Sequence, residues 1–252
     1  MLGLRNMYRV FKESRSAARR QASLSVMTGD APEAERLASI LDARKGNKDA
    51  EIVLTVADGR VSISGDAVED PAEVALPDAL SRETVLHDLA PRIVAALDED
   101  YVIPLGRGYP ALRRAACEDL IHKNARQNAV IGFLPIPGAD MPAITANQGR
   151  MVLGIAAAYG EELSLERGRE LLGVLAAGFG LRAFARQVVK LVPVGGWAAS
   201  AAIGYAGTLA MGRATILYFE RGKQELESGE LAEIRQRAAK EARDFVSRMH
   251  RR

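Results

Sequence analysis

The chain has 252 residues, 48% of them hydrophobic and 26% charged, which excludes a wholly disordered protein and leaves room for one large domain or two small ones. Lys and Arg number 34 against 32 for Asp and Glu, so the balance does not point to nucleic acid as a partner. One cysteine and three histidines exclude a disulfide scaffold and leave little for a Cys/His zinc site.

The near-neutral total hides an asymmetry. Residues 1–50 carry 10 basic and 6 acidic side chains, whereas residues 51–110 carry 4 and 12. The first twenty residues hold Arg5, Arg9, Lys12, Arg15, Arg19 and Arg20 against the single acid Glu13, with Leu2, Leu4, Met7, Tyr8 and Phe11 among them. A helix over about 3–26 would be basic and amphipathic, suited either to an anionic membrane surface or to plain solvation. No apolar core followed by a small-residue cleavage site marks a signal peptide. Asp30, Pro32 and Glu33 then open a short helix over about 31–45, with Asp30 as cap and Arg44, Lys45 and Gly46 at its end.

EIVLTV at 51–56 and VSISG at 61–65 alternate as strands and flank Ala57-Asp58-Gly59-Arg60, a hairpin turn. A loop containing Pro71 and Pro77 follows. Ser81 starts a helical pattern through Leu86, Leu89, Ile93 and Leu97, which Pro91 should kink or interrupt. The acidic run Asp98-Glu99-Asp100 and the Gly/Pro-rich stretch from Pro104 to Pro110 mark the main boundary. Beyond it the chain reads helical over roughly 111–131, 140–159, 164–190, 197–220 and 223–249. In the last of these, Leu231, Ile234, Ala238, Ala242, Phe245 and Met249 share one side and charges cover the other. The expected fold class is therefore mainly α, with Pro/Gly-broken helical hairpins packed as a bundle. An N-terminal α+β region over 1–110, containing the β-hairpin, precedes a helical domain over 111–252.

The densest apolar stretch, 191–212, has 22 residues and no charge. It is long enough to span a bilayer, which takes about 20 residues. It is also rich in Gly and Ala, and Pro193, Gly195 and Gly196 interrupt its start, so burial in protein is the equal alternative. Gly204, Thr208 and Gly212 form a stripe at spacings of four that permits close helix contact in either solvent. A shift of 58 residues sets Pro135-Ile136 on Pro193-Val194, Gly138 on Gly196, Met151 on Leu209 and Gly154 on Gly212. Duplication and shared composition both account for the match. Either way, each break lets two helices fold back on each other.

Around the first break, Asp140 is placed to cap the helix that begins at Met141 or Pro142. Asn124 and Asn128 lie one turn apart before it; Thr145, Asn147, Gln148 and Arg150 follow it. Such residues either build a buried network that fixes the hairpin register or recognise a ligand. Arg182, Arg186 and Lys190 form a basic stripe suited to lipid phosphate, an acidic partner or solvent.

Nucleotide-binding and hydrolytic motifs are missing: there is no GxxxxGK[ST], HExxH, GxSxG or Rossmann fingerprint. Asn47-Lys48-Asp49 is one residue short of a guanine-recognition motif. His87 beside Asp88 reads as a surface pair, and Cys117 with His122 has poor spacing for a nucleophilic pair on one helix. No catalytic residue, metal site or cofactor is assigned, and the expected protein is not an enzyme.

The runs IHKNARQNAVIGFLPIPGADMPAITANQGRMVLGIAAAYG at 121–160 and LLGVLAAGFGLRAFARQVVKLVPVGGWAASAAIGYAGTLAMGRA at 171–214 resemble the DUF697 family. Similar domains occur alone, in YcjF-like inner-membrane proteins and behind the GTPase domain of some Era-like bacterial proteins. The positions carrying the resemblance are Pro135, Pro137, Gly138, Asp140, Tyr159, Gly160, Pro193, Gly195 and Gly196, read as hairpin determinants. The resemblance implies a helical, often membrane-associated module without an established reaction. This chain lacks the nucleotide motifs of the GTPase-linked members and the two long apolar N-terminal spans of YcjF-like proteins. The expected function is a non-enzymatic, membrane-associated helical module that binds a protein partner, at the bacterial inner membrane or its cytoplasmic face. The alternative is a soluble, cytoplasmic interaction protein acting with a separately encoded GTPase.

Overall fold

A computed structural model describes residues 20–27, 31–133, 140–162, 188 and 197–249. The architecture is mainly helical with a small N-terminal sheet, as the sequence pattern requires. The chain divides into two compact units, one holding the described residues of Arg15–Asp119 and Ala157–Glu161, the other those of Leu120–Ala156 and Glu162–Arg252.

The described residues of the first unit form five strands: β1 (Leu24–Met27), β2 (Arg44–Lys45), β3 (Ile52–Ala57), β4 (Arg60–Ser64) and β5 (Ala72–Ala75). Their order is β2-β1-β3-β4-β5, with β1 parallel to both neighbours and the remaining pairs antiparallel. The β3–β4 hairpin stands where the alternation puts it. Asp58 (φ 50°) and Gly59 (φ 69°) both take the left-handed backbone that a two-residue turn of this twist requires. Period-two alternation sends Leu24, Val26, Ile52, Leu54, Val61 and Ile63 into one core with Leu37, Leu41, Leu89 and Ile93. Each such side chain contributes about 1.5–3 kcal/mol when taken fully out of water.

Several local expectations are corrected. Leu24–Met27 is a strand rather than the end of a helix over 3–26, because Ser25 and Val26 pair with both β2 and β3. The helix expected over 31–45 is α1 (Pro32–Leu41); Ala31 stands at its N-cap without a side-chain cap, and Asp30 lies outside the described residues. It stops early because Asp42 turns left-handed (φ 54°), freeing Arg44 and Lys45 to pair with β1. The expected loop around Pro71 contains the edge strand β5.

Pro91 acts as expected. The helical stretch consists of α2 (Arg82–Thr84), a π-turn over Val85–Leu89, and α3 (Ala90–Ala95). The Ala90 N–H reaches back to the Val85 carbonyl, and this wider turn absorbs the ring and missing N–H of Pro91. His87 and Asp88 sit exposed in that turn.

The Gly/Pro-rich stretch expected as a boundary is a helix, α4 (Glu99–Gly108), capped by Asp98 and carrying Pro104 inside it. Val102 and Leu105 anchor it in the core, outweighing the local preference of its Pro and Gly residues. The Tyr109 hydroxyl accepts a hydrogen bond from the Leu24 N–H at 2.7 Å, tying the chain after α4 to β1.

Among the described residues four longer helices follow: α5 (Pro110–Phe133), α6 (Asp140–Ala158), α7 (Trp197–Glu220) and α8 (Ser228–Met249). All four match sequence-predicted segments closely. α8 begins later than residue 223 because Gly222 (φ 66°) and Lys223 (φ 71°) form a left-handed turn, closed by the Lys223 N–H on the Tyr218 carbonyl at 2.8 Å. The helix expected over 164–190 lies outside the described residues except Val188, which is helical and buried.

α8 folds back antiparallel on α7. Tyr205 stacks on Phe245 at 4.3 Å between ring centroids, Arg213 grips Glu241 with bonds of 2.6 and 3.3 Å, and Arg221 pairs with Glu230. Ala238, Ala239, Ala242 and Val246 are buried, so much of the apolar side read from the sequence is satisfied within the chain. Met249, expected on that side, is 43% exposed.

Candidate functional site

α5 and α7 run antiparallel at very close range, and small residues make this possible. A Cβ added to Gly132 would sit 2.9 Å from the Ser200 carbonyl oxygen; one added to Gly204 would sit 2.8 Å from that of Asn128. At Gly212 it would enter the buried side chain of Ile121. The stripe of Gly204, Thr208 and Gly212 is thus the face that meets α5.

Within this contact the structure assembles a polar seam. Asn128 and Thr208 have no exposure, and Asn147 is buried beside them. The Asn128 Nδ2 donates to the Thr208 hydroxyl at 2.8 Å, while its Oδ1 accepts from Asn147 Nδ2 at 2.9 Å. Asn147 also donates to Gln127 Oε1 at 3.2 Å. The Thr208 hydroxyl donates to the Gly204 carbonyl at 2.7 Å and accepts a further bond from Gln148 Nε2 at 3.4 Å. One hydroxyl proton and two acceptor positions are therefore all used at Thr208. Three helices are fixed in register by groups that would cost about 1–3 kcal/mol each if left unpaired.

The structure brings together Asn128, Asn147 and Gln148 of the residues singled out in the sequence. It does not bring in Asn124, whose Nδ2 donates to the Leu120 carbonyl of its own helix at 2.8 Å, nor Thr145 and Arg150, which face the exposed side of α6. Gln127 and Thr208 were not in that set. Thr208 was legible only as a small residue, although a hydroxyl in a charge-free run is itself a sign of a buried partner.

Asp140 is the first residue of α6. That helix closes at Gly160 (φ 82°), whose N–H bonds the Ala157 carbonyl. Tyr159, beside it, receives the Arg113 guanidinium over its ring at 5.2 Å, and Arg113 Nε in turn donates to the Gly106 carbonyl at 3.0 Å. Tyr159 and Gly160 thus shape the end of α6. Pro135, Pro137, Gly138, Pro193, Gly195 and Gly196 lie outside the described residues, as do Arg182, Arg186 and Lys190.

Electrostatics add one feature at the α7–α8 contact. Burial raises the Tyr205 phenol above its ordinary value near 10, and the Glu241 carboxylate pushes the same way, against Arg126, Arg248 and Arg213. Cys117 is fully buried. Asn47 closes a loop, its Oδ1 accepting from the Asp49 N–H at 3.1 Å. Among the described residues no group of three or more His, Cys, Asp or Glu side chains could hold a metal ion.

Among the described residues no helix is long and apolar enough to cross a membrane. This corrects the spanning alternative for the described part of 191–212. Ala and Gly supply little hydropathy there, Arg213 follows at once, and Ala201, Ala202, Ala206, Leu209 and Ala210 are buried within the protein.

The model of a family described as a domain of unknown function, DUF697, matches residues 109–244. Magnetosome membrane protein 22 of Magnetospirillum gryphiswaldense is 28% identical over an aligned length of 153 residues, covering 49% of this chain and 78% of that protein. No solved structure matches.

Proposed function

The chain belongs to the DUF697 family, and from that premise we propose a non-enzymatic helical module that attaches to a membrane surface and binds a protein partner there. The observation that carries this reading is the self-saturation of the seam. Asn128, Asn147, Gln148 and Thr208 bond to one another, to Gln127 and to Gly204, which favours a scaffold over a ligand-binding pocket. The magnetosome membrane protein supports placement at a membrane by its name, and packing of α7 within the protein favours surface attachment over insertion. Positive charge for that attachment is abundant in the sequence, in the first twenty residues and at Arg182, Arg186 and Lys190.

Fractionation of bacterial cells expressing the untagged full chain tests the proposal. The protein should sediment with membranes and be released by alkaline carbonate or high salt. Recovery wholly in the soluble fraction would overturn the membrane reading, and resistance to carbonate would overturn surface attachment in favour of insertion.

A further inference from the structure

The antiparallel packing of α7 against both α5 and α8 brings three helix ends together. Gly132 of α5 meets Ser200 near the start of α7, and Phe245 of α8 stacks on Tyr205 one turn further on. The last turns of α5 and α8 therefore flank the first turns of α7. Val130, Phe133 and Met249 lie in those last turns, and they are the exposed large hydrophobic side chains among the described residues, at 57%, 44% and 43%. Three exposed apolar side chains from two helices thus stand at the same end of the unit.

The charge beside them is basic. Arg126, two turns before Phe133, and Arg248, next to Met249, are both exposed, and neither forms an ion pair with another described residue. Both favour ionisation of the Tyr205 phenol, as Arg213 does and against the Glu241 carboxylate. Along α5 from Arg126 to Phe133 there is no acid; along the last two turns of α8, Arg243 and Arg248 stand against Asp244.

We infer that this helical end, with Val130, Phe133 and Met249 as its apolar tip and Arg126 and Arg248 as its rim, docks on anionic lipid headgroups. Aromatic and aliphatic side chains enter the boundary between headgroups and acyl chains, while uncompensated guanidinium groups stay at the phosphates. A purely apolar tip would suit a protein groove equally; the unpaired arginines select a negatively charged lipid surface. The inference rests on the membrane reading above and supplies its point of contact.

The test is flotation of the purified full chain with vesicles, either of equal parts phosphatidylglycerol and phosphatidylcholine or of phosphatidylcholine alone. The unaltered chain should float with the anionic vesicles and not with the neutral ones. The pair Phe133→Ser with Met249→Ser should abolish flotation. The pair Arg126→Glu with Arg248→Glu should weaken it by roughly thirtyfold or more, taking about fivefold per lost basic contact. Unchanged circular dichroism spectra and unfolding midpoints would show that these exposed substitutions leave the fold intact. Variants that float like the unaltered chain would overturn the tip inference and leave the membrane reading standing. Equal flotation with neutral vesicles would overturn the headgroup assignment. No flotation by a chain that nonetheless sediments with cell membranes would overturn lipid as the occupant and point to a protein receptor. No flotation together with a wholly soluble chain in cells would bring down both readings.

Discussion

Gly204 and Gly207 lie three residues apart on α7, yet the same substitution should act on them with opposite sign. Alanine is worth about 1 kcal/mol over glycine in a helix interior through backbone entropy alone. At Gly207 the new Cβ meets only the Gln148 Nε2, at 3.8 Å, which is ordinary contact, so Gly207→Ala should keep that gain. At Gly204 the new Cβ would lie 2.8 Å from the Asn128 carbonyl oxygen and 3.3 Å from its carbon. A helix carbonyl cannot swing aside as a side-chain tip can, so α5 and α7 must separate. Separation also lengthens the 2.8 Å bond between Asn128 and Thr208. Overpacking of this kind costs about 1–3 kcal/mol before the lost hydrogen bonding, leaving Gly204→Ala destabilised by about 1–2 kcal/mol after its helix gain. Urea unfolding followed by far-ultraviolet circular dichroism measures both variants. If Gly204→Ala stabilises the chain as much as Gly207→Ala does, the close approach of α5 and α7 is wrong.

Asn128→Ala should cost about 1–2 kcal/mol in the same assay, because it removes one of the bonds to the Thr208 hydroxyl and one from the Asn147 amide in a buried seam, leaving Thr208 its bonds to Gly204 and Gln148 and Asn147 its bond to Gln127; a loss within experimental error would show that the seam does not fix the helices. Tyr205 should give an alkaline signature. With its folded-state value raised by burial, the stability linked to its neutral form is complete below about pH 10 and is lost as pH rises through the folded value. Tyr205→Phe should therefore remove part of the fall in stability above that pH, and an identical alkaline slope would refute the assignment. Glu51 should behave in the opposite sense. The Ser23 hydroxyl bond holds its carboxyl below the usual range against the opposing effect of burial, so its contribution is present above about pH 4.5 and lost as pH falls through the folded value. Ser23→Ala should flatten the acid limb of a stability-against-pH curve, measured as urea midpoints; an unchanged limb would sink this reading.

The helical unit was largely legible because its signals are long. Twenty-odd residues with Gly204, Thr208 and Gly212 at spacings of four leave few alternatives to a close-packed helix, and the Asn and Gln residues around the first break announce a buried network. The first unit was less legible because its elements are short and held by distant partners. Four residues of β1 exist as a strand through pairing with Arg44–Lys45 and Ile52–Thr55, and nothing local distinguishes LSVM from the start or end of a helix. Pro104, Gly106 and Gly108 read as breaks, yet Val102 and Leu105 bury enough surface to keep α4 helical. Thr208 escaped notice as a polar partner because its small size already explained its place in the stripe. The apolar end of the unit was not readable at all: Met249 is far in sequence from Val130 and Phe133, and only the antiparallel register brings the ends of α5 and α8 to the same end of α7.

The measurement that bears most directly on the account is hydrogen–deuterium exchange across α7 in the purified full chain, in buffer and again with anionic vesicles. Packing against α5 and α8 predicts slow exchange through the middle of 197–220 without any lipid, and little further change when vesicles are added. Rapid exchange of that helix in buffer, becoming slow only when lipid is supplied, would contradict the account and return the segment to the bilayer.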